Sequence, residues 1–266
     1  MRSIPLRDGA ELTRRALEKK NTEALAWAVS SLLLLVPQPA YAMHLSDGIL
    51  PAASCVGWTL LAAAGVALAF ARFDRARLRD PQLAPLMAML GAAVFAISCM
   101  PVPVPVVGTC SHPCGTGLAA ILVGPLPTIL LTTVALLLQA LFLAHGGLTT
   151  LGADIVSMGV AGGLAGFAVF HGLRRMGASL WVAAFVAGVL SDWATYATTA
   201  LELSLGLSGA DHSALALFGS ISLAFAPTQL PLGLLEGVLT AGALSFVYRH
   251  RPKLLARLQV LPAEGA

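Results

Sequence analysis

The chain has 266 residues, of which 57% are hydrophobic and only 11% are charged, and its mean hydropathy is +0.82. Soluble domains carry about 25% charged residues, so this composition excludes a soluble globular protein and predicts an all-α integral membrane protein. The formal net charge is only +3. The basic residues stand in short clusters, which is typical of cytoplasmic loops and not of a nucleic-acid-binding surface.

Residues 1–42 have the pattern of a cleavable signal peptide. A basic start is followed by an uncharged run over 24–36, and small residues at Ala40 and Ala42 form a cleavage pattern. The run is too short to span a bilayer. An uncleaved anchor or a core helix over the same run is the alternative. We predict cleavage after Ala42, which leaves a mature chain that begins at Met43.

A free amino terminus at Met43 followed by His44 would be a compact metal chelator. The α-amine, the His44 backbone nitrogen and the His44 imidazole can close a five-membered and a six-membered ring on one ion, with little chain entropy to lose. Planar nitrogen donors suit Ni(II) or Cu(II), with Co(II) close behind. Without cleavage the amine is lost and the chelate is weakened.

Hydropathy predicts the membrane segments. Charge-poor runs cover residues 52–71, 84–100, 126–144, 154–171, 180–201 and 228–248. Each run is near the ~20 residues that a helix needs to cross a bilayer. Two shorter apolar stretches, 116–125 and 213–226, end at or before a proline.

Basic clusters set the predicted orientation of the chain. They comprise Arg72, Arg75, Arg77 and Arg79, then Arg174 and Arg175, then Arg249, Arg251, Lys253 and Arg257. The positive-inside rule places all three clusters in the cytoplasm, while signal cleavage places Met43 outside. The parity of crossings then requires one more crossing before Arg174, which 116–125 supplies, unless a re-entrant piece changes the parity.

We therefore predict seven membrane segments, one of them short, with the N-terminus outside and the C-terminus in the cytoplasm. The stretch 213–226 does not change sides in this scheme and is predicted as a surface or re-entrant helix. The membrane domain covers 43–250 and is followed by a short cytoplasmic tail over 251–266.

The outer loop over 101–117 holds the second candidate site. Its prolines and glycines rule out a regular helix, and irregular backbone at membrane depth survives only where it is buried in protein or lines a cavity. His112 is a candidate fourth nitrogen ligand, with a hydrogen-bonded structural histidine as the alternative. Cys110 and Cys114 are interpreted first as small core residues, then as a disulfide, and last as thiolate ligands.

Polar side chains inside membrane segments are costly and often functional. Gln139, Asp192 and Glu236 lie in predicted segments, and His145 and Asp154 flank a glycine turn. These residues could support a metal site or contact a coupling subunit. We interpret Gln139 and Glu236 as interhelical packing contacts.

Residues 43–51 read Met-His-Leu-Ser-Asp-Gly-Ile-Leu-Pro, and residues 108–118 read Gly-Thr-Cys-Ser-His-Pro-Cys-Gly-Thr-Gly-Leu. These two segments resemble the CbiM/NikM family, the membrane substrate-binding components of energy-coupling-factor (ECF) cobalt and nickel transporters. Weaker similarity elsewhere extends the resemblance to about Tyr248. Cys114 departs from the family, which usually has threonine there, and many relatives start directly at the Met-His pair.

The resemblance implies that the metal is held by the Met43 amine, the backbone nitrogen and side chain of His44, and His112. Residues near these ligands are predicted to orient them through hydrogen bonds. This supporting set consists of Ser46, Asp47, Ser111 and His145.

The resemblance also implies a function. The chain would bind Co²⁺ or Ni²⁺ and help to import it for cobalamin biosynthesis or nickel enzymes, as a multi-pass protein of the cell membrane. The implied partners are a CbiQ-type transmembrane coupling subunit, a CbiO-type ATPase and a small CbiN-like membrane subunit. The residues leave the choice of metal open, and the CbiM-like pattern favours cobalt.

Other classes are less consistent with the sequence. There is no H-E-x-x-H, Walker A or G-x-S-x-G motif, so we expect neither an enzyme nor an ATPase, and no cofactor. A passive channel would need a polar path, which the few charges inside the membrane segments do not provide. The competing class is a membrane structural or assembly protein in which the N-terminal histidine is incidental.

Processing of the leader is directly testable. We expect N-terminal sequencing of the membrane-embedded protein to begin at Met43, because Ala40 and Ala42 fit the cleavage pattern and only a free amine completes the chelate. An intact mass that retains residues 1–42 would contradict this prediction.

Overall fold

The computed structural model describes residues 44–100, 102–104, 109–143, 145–209 and 212–260. Its elements in chain order are helices α1 (Ala52–Arg79) and α2 (Leu83–Ser98), strands β1 (Val102–Val104) and β2 (Thr109–Ser111), and helices α3 (Thr116–Val123), α4 (Pro125–Phe142), α5 (Leu151–Arg175), α6 (Leu180–Leu207), α7 (Ala214–His250) and α8 (Pro252–Arg257). This part of the chain is almost entirely helical, as predicted. The predicted signal peptide over 1–42, and Met43 itself, lie outside the described residues.

The helices match the predicted apolar runs. Five described helices, namely α1, α4, α5, α6 and α7, are long and apolar enough to cross a membrane, and α2 is a shorter apolar helix. The outer faces of the bundle carry exposed apolar side chains such as Leu60, Phe142 and Leu215, which suits a surface in contact with lipid. The count of seven segments and the orientation of the termini stay predictions.

The proline-rich loop folds into a small hairpin, not a helix. Strands β1 and β2 pair antiparallel, with Val102 opposite Ser111 and Val104 opposite Thr109. Both strands contact α7. The hairpin therefore delivers His112, which follows β2 directly, into the bundle.

Helix α7 differs from the prediction over 213–226. Ala214–His250 forms one helix of 37 residues, so this stretch is not a separate surface or re-entrant helix. Pro227 and Pro231 each remove a backbone donor, which membrane helices tolerate where neighbouring helices satisfy the backbone. The Trp193 indole of α6 donates to the Gln229 carbonyl at 3.0 Å, which fixes α6 against the segment of α7 between the two prolines.

Helix α5 changes its winding beside the candidate site. It is α-helical at both ends but π-helical over Ile155–Gly162, a conformation that is frequent at functional sites. The small residues of this segment allow close packing, since a Cβ on Gly159 would lie 3.2 Å from the Thr132 Cβ of α4. The segment begins directly after Asp154.

The two ends of the bundle carry different features. His44 lies just before α1 and Asp80 just after it. Because α1 has 28 residues and rises 1.5 Å per residue, its two ends are about 42 Å apart. Arg257 of α8 pairs with Asp80 and donates to Gln82. The basic tail and the basic α1–α2 turn therefore share the end that lies away from His44, which agrees with the predicted common side.

Close packing of α6 against α7 depends on Gly188. A Cβ at this position would lie 2.9 Å from both the Glu236 carbonyl oxygen and the Gly237 Cα. These are backbone atoms that cannot swing aside. We expect Gly188→Ala to lower the thermal unfolding midpoint in detergent, because overpacking typically costs about 1–3 kcal/mol.

Gly242→Ala is the matched control for that variant. Gly242 also lies in a helix, but its Cβ would meet no atom within 4 Å. This substitution should keep or raise the midpoint, since alanine is favoured over glycine in a helix by about 1 kcal/mol. Equal midpoints for the two variants would contradict the packing assignment.

Candidate metal site

The segment after Met43 is fixed by the connection between α4 and α5. The Leu45 N–H donates to Asp154 Oδ1 at 3.1 Å, and the Leu45 carbonyl accepts from the Gly147 N–H at 2.9 Å and from the Thr150 hydroxyl. The Leu45 side chain is only 1% exposed. Because both backbone groups of Leu45 are paired, the position of the adjacent His44 is determined.

Two glycines allow this connection to approach the N-terminal segment. Gly146 has a φ of +77°, which favours glycine, and a Cβ there would lie 2.9 Å from the His44 Cβ. A Cβ on Gly147 would overlap Asp47. A larger residue at either position would push His44 or its neighbours out of place.

A chain of hydrogen bonds fixes the tautomer of His44. The Ser98 hydroxyl donates to the Val94 carbonyl at 2.7 Å, so its oxygen accepts from Gln139 Nε2, also at 2.7 Å. The amide oxygen of Gln139 therefore faces His44 and accepts from Nε2 at 2.7 Å. With its proton on Nε2, the His44 imidazole presents a lone pair at Nδ1.

His112 is held with equal definition. Its Nδ1 donates to the Pro113 carbonyl at 3.0 Å, which leaves a lone pair at Nε2. Its backbone N–H donates to the Tyr196 hydroxyl at 2.9 Å, and that hydroxyl donates to the His112 carbonyl at 3.2 Å. Tyr196 thus clamps the backbone of His112 to α6.

The two imidazoles converge on one point. His44 Nδ1 and His112 Nε2 lie 3.4 Å apart, with the rings inclined at 75°. Burial lowers the pKa of His112 to about 4, and burial followed by repulsion from His112 holds the pKa of His44 well below its usual value. Both rings are therefore neutral near pH 7.

Two facing lone pairs repel unless an electrophile lies between them. Two nitrogen ligands about 2 Å from one ion and near a right angle stand roughly 3 Å apart, close to the observed separation. Within the residues that the structure describes, no group of three or more His, Cys, Asp or Glu side chains is placed to hold a metal. The remaining predicted donor outside the two histidines, the Met43 amine, lies beyond the described residues.

A small cavity adjoins the imidazoles. Its volume is about 20 Å³, enough for one particle the size of a water molecule. Besides His44 and His112 its walls include the polar Asp154, Ser157, Thr195 and Thr199 and the apolar Met158 and Phe225. The site is therefore a small pocket lined by α5, α6, α7 and the two segments that carry the histidines.

Two of the predicted supporting residues brace the loops that carry the histidines. The exposed Asp47 carboxylate accepts from the Thr149 hydroxyl at 2.5 Å, the Thr149 N–H at 2.8 Å and the Leu148 N–H at 3.3 Å. These bonds, that of the hydroxyl above all, lower the pKa of Asp47. Ser111 accepts from the Gln229 amide and donates to the Thr228 hydroxyl at 3.2 Å. Asp47 thus ties the N-terminal segment to the α4–α5 connection, and Ser111 ties β2 to α7.

The other two supporting residues contribute through their backbone. The Ser46 carbonyl accepts from the Ile49 N–H at 3.3 Å, and the His145 N–H donates to the Gln139 carbonyl at 3.2 Å. In the described part of the chain, none of the four supporting side chains hydrogen-bonds an imidazole. Gln139 fills that role for His44.

The cysteines have the structure of core residues. Cys114 is free and fully buried, and its thiol lies 3.8 Å from Asp192 Oδ1. Burial and the neighbouring carboxyl raise the pKa of Cys114 well above its usual range, so it is a neutral thiol. The disulfide alternative between Cys110 and Cys114 is wrong, and the side chain of Cys110 itself lies outside the described residues.

Two residues near the ligands were given other roles, or no definite role, from the sequence. Gln139 was interpreted as a packing contact, yet it bonds the His44 ring, and Asp154 lies in the cavity wall. Glu236 does have a structural contact, since it accepts from the Gly115 N–H at 2.8 Å and so holds the turn that follows His112. A polar residue within an apolar run was the available signal for Gln139.

Comparison with known proteins gives a consistent assignment. Residues 44–254 match the family described as CbiM, the cobalt uptake substrate-specific transmembrane region. A cobalt transport protein CbiM of Sorangium cellulosum is 62% identical over 219 residues, which cover 82% of this chain and 97% of that protein. A CbiM of Geobacter sulfurreducens is 59% identical over 232 residues, covering 87% of this chain and 67% of that protein.

Solved structures share the fold. A crystal structure of a truncated transition metal transporter superposes with a TM-score of 0.70 at 24% identity, covering 78% of this chain and 99% of that chain. The comparisons confirm the resemblance found in the sequence. They also confirm a multi-pass membrane protein of a transport family, and not an enzyme.

The role of Gln139 can be tested by removing its amide. We expect Gln139→Leu to weaken binding of Ni²⁺ or Co²⁺ by roughly 10- to 100-fold, the usual cost of losing a group that orients a ligating histidine. Thr132→Val, a change of a buried polar residue in the same helix, is the control and should leave affinity unchanged. Isothermal titration in detergent measures both, and equal affinities for the two variants would contradict the role of Gln139.

Proposed function

Because the chain belongs to the CbiM family of cobalt uptake substrate-specific transmembrane regions, we propose that it captures a divalent transition metal ion at the outer face of the membrane for ATP-driven import. The observation that carries this proposal is the pair of neutral imidazoles whose unprotonated nitrogens face each other at 3.4 Å. A neutral imidazole nitrogen is a preferred donor for Co²⁺ and Ni²⁺. Their convergence beside a small pocket supports a site for one such ion.

The proposed donor set consists of four nitrogens. They are the Met43 amine, the His44 backbone nitrogen, His44 Nδ1 and His112 Nε2. The six-membered chelate ring closes only through Nδ1 of His44, and this is the nitrogen that Gln139 leaves unprotonated. The tautomer set by the protein is therefore the one that the chelate needs.

Binding in this arrangement has consequences for protons and water. The amine and the amide nitrogen must each lose a proton to bind the ion, so metal binding releases protons. The ion must also shed most of its water, because the cavity beside the imidazoles has a volume of only about 20 Å³. Four fixed donors replace that hydration.

The driving force has to come from other subunits. The sequence contains no Walker A motif, so ATP hydrolysis is assigned to a CbiO-type ATPase. A CbiQ-type transmembrane subunit would couple it to this chain, with a small CbiN-like membrane subunit as a further partner. This is an ECF-type arrangement in which the present chain supplies substrate specificity.

Cobalt is the proposed physiological substrate and nickel the alternative. The relatives at 62% and 59% identity are both named cobalt transport proteins. Four nitrogen donors accept either ion, so we expect both to bind in vitro. The imported metal would supply cobalamin biosynthesis or, in the alternative, nickel enzymes.

Variants at the two histidines test the donor set. We expect His44→Ala to abolish measurable binding, because it unpins the chelate, and His112→Ala to weaken binding at least about tenfold, or 1.4 kcal/mol. An alanine inserted between Met43 and His44 should also impair binding, although every side chain remains. Isothermal titration of the purified mature protein with Co²⁺ and Ni²⁺ measures these effects.

Three controls complete this test. His171→Ala removes a histidine far along α5 from the site, and Cys110→Ser and Cys114→Ser remove the thiols near His112. All three should keep the affinity of the unsubstituted protein. Loss of binding in the cysteine variants with retention in His44→Ala would establish a thiolate site and refute the proposal.

A further inference from the structure

Among the described residues, one wall of the cavity beside the imidazoles carries three hydroxyl groups whose hydrogens are all used. The hydroxyls of Ser157, Thr195 and Thr199 donate to backbone carbonyls of the preceding helical turn, at 3.2, 3.0 and 3.1 Å. Their hydrogens are thus occupied and their lone pairs remain available.

Asp154 is the strongest acceptor of this wall once a divalent cation lies nearby, because the positive charge favours the carboxylate over the neutral acid. It is 4% exposed, and its Oδ1 accepts from the Leu45 N–H at 3.1 Å. Its Oδ2 is buried and has no hydrogen-bond partner among the residues that the structure describes. A buried polar atom without a partner costs free energy and calls for an explanation.

The opposite wall also consists of acceptors. His44 Nδ1 and His112 Nε2 both present lone pairs, because their other ring nitrogens donate to Gln139 and Pro113. A water molecule alone has two hydrogens for three such acceptors, namely Asp154 Oδ2, His44 Nδ1 and His112 Nε2. A water bound to a metal ion satisfies both walls, since its hydrogens face Asp154 and its oxygen faces the ion held by the imidazoles.

The geometry points to an apical water ligand on the bound metal ion, held in this cavity by Asp154 Oδ2 and the neighbouring hydroxyls. The cavity of about 20 Å³ accommodates one such molecule. This assignment rests on the proposed nitrogen site and adds to it a residue that determines the choice of metal.

The discrimination follows from the electronic structure of the ions. A d⁸ Ni(II) ion in a plane of four strong nitrogen donors is stable as a square-planar complex and gains little from a fifth ligand. A d⁷ Co(II) ion in the same plane binds a fifth ligand. A preorganised apical water therefore favours Co²⁺, and Asp154 is a positioning residue for that selectivity.

Asp154→Asn is the discriminating variant. Its amide oxygen can still accept from the Leu45 N–H, while an NH₂ group replaces Oδ2 and opposes the hydrogens of the water. We expect the Co²⁺ affinity to fall about tenfold and the Ni²⁺ affinity to change less than about twofold. A purely structural role for Asp154 would lower both affinities by the same factor, and that outcome, or no change in either, overturns the proposal.

Asp192→Asn is the matched control. Asp192 is a fully buried carboxyl on α6 whose Oδ2 also has no partner in the described chain, but it does not line the cavity. Its substitution should leave the ratio of Co²⁺ to Ni²⁺ affinity unchanged. A shift in that ratio equal to the shift from Asp154→Asn would indicate a general charge effect and overturn the apical water.

A spectroscopic measurement on the unsubstituted protein keeps the test independent of the folding of any variant. The EPR spectrum of the Co(II)-loaded protein should broaden in ¹⁷O-enriched water, because a coordinated water oxygen carries the label. Thr199→Val should reduce the Co²⁺ affinity in the same direction as Asp154→Asn, but less. If the spectrum does not broaden but Ni²⁺ still binds, the apical water is refuted and the proposed nitrogen site stands. If neither metal binds, both proposals are refuted.

Discussion

The site depends on two unprotonated ring nitrogens, His44 Nδ1 and His112 Nε2, that face each other. His44 and His112 meet at 3.4 Å through ring nitrogens that carry no hydrogen, because the protein directs the hydrogen of each ring to an oxygen elsewhere. Burial keeps both rings neutral, so the contact is between two lone pairs. Such a contact is unfavourable alone and favourable around a metal ion. The surrounding hydrogen bonds are what keep the two nitrogens in this position.

The scaffold maintains that contact from several directions. Leu45 is paired through both backbone groups to the α4–α5 connection and the start of α5, which places His44. Tyr196 of α6 and Glu236 of α7 hold the backbone around His112. The side chains that hold the histidines, Gln139, Tyr196 and Glu236, come from helices. The histidines themselves lie on short irregular segments, so the rigid helices determine their positions.

Much of this could be predicted from the sequence because the relevant patterns are local. The apolar runs identify the helices, and the prolines and glycines of 101–117 exclude a helix where the hairpin forms. The Met43-His44 and His112 segments identify the ligand candidates through their chemistry and family resemblance. The continuity of α7 was not predicted, because a proline such as Pro227 indicates a helix boundary when the sequence alone is considered.

The residues that orient the ligands were harder to find because they are distant in sequence. Gln139 lies 95 positions from His44, and Asp154 lies 109 positions from Leu45. Nothing in the residues around either one indicates its partner, and a polar residue in an apolar helix is equally consistent with packing. The predicted supporting residues were chosen because they lie close to the ligands along the chain or within the predicted turns. In the structure these residues, Ser46, Asp47, Ser111 and His145, stabilise loops.

The central claim is that both imidazoles bind one ion in an all-nitrogen site, and X-ray absorption at the nickel edge tests it most directly. Spectra of the Ni(II)-loaded mature protein should show a first shell of nitrogen donors, with the multiple scattering of two imidazole rings. His112→Ala should remove one ring from that pattern. A sulfur scatterer in the first shell, or a pattern with no imidazole, would contradict the account.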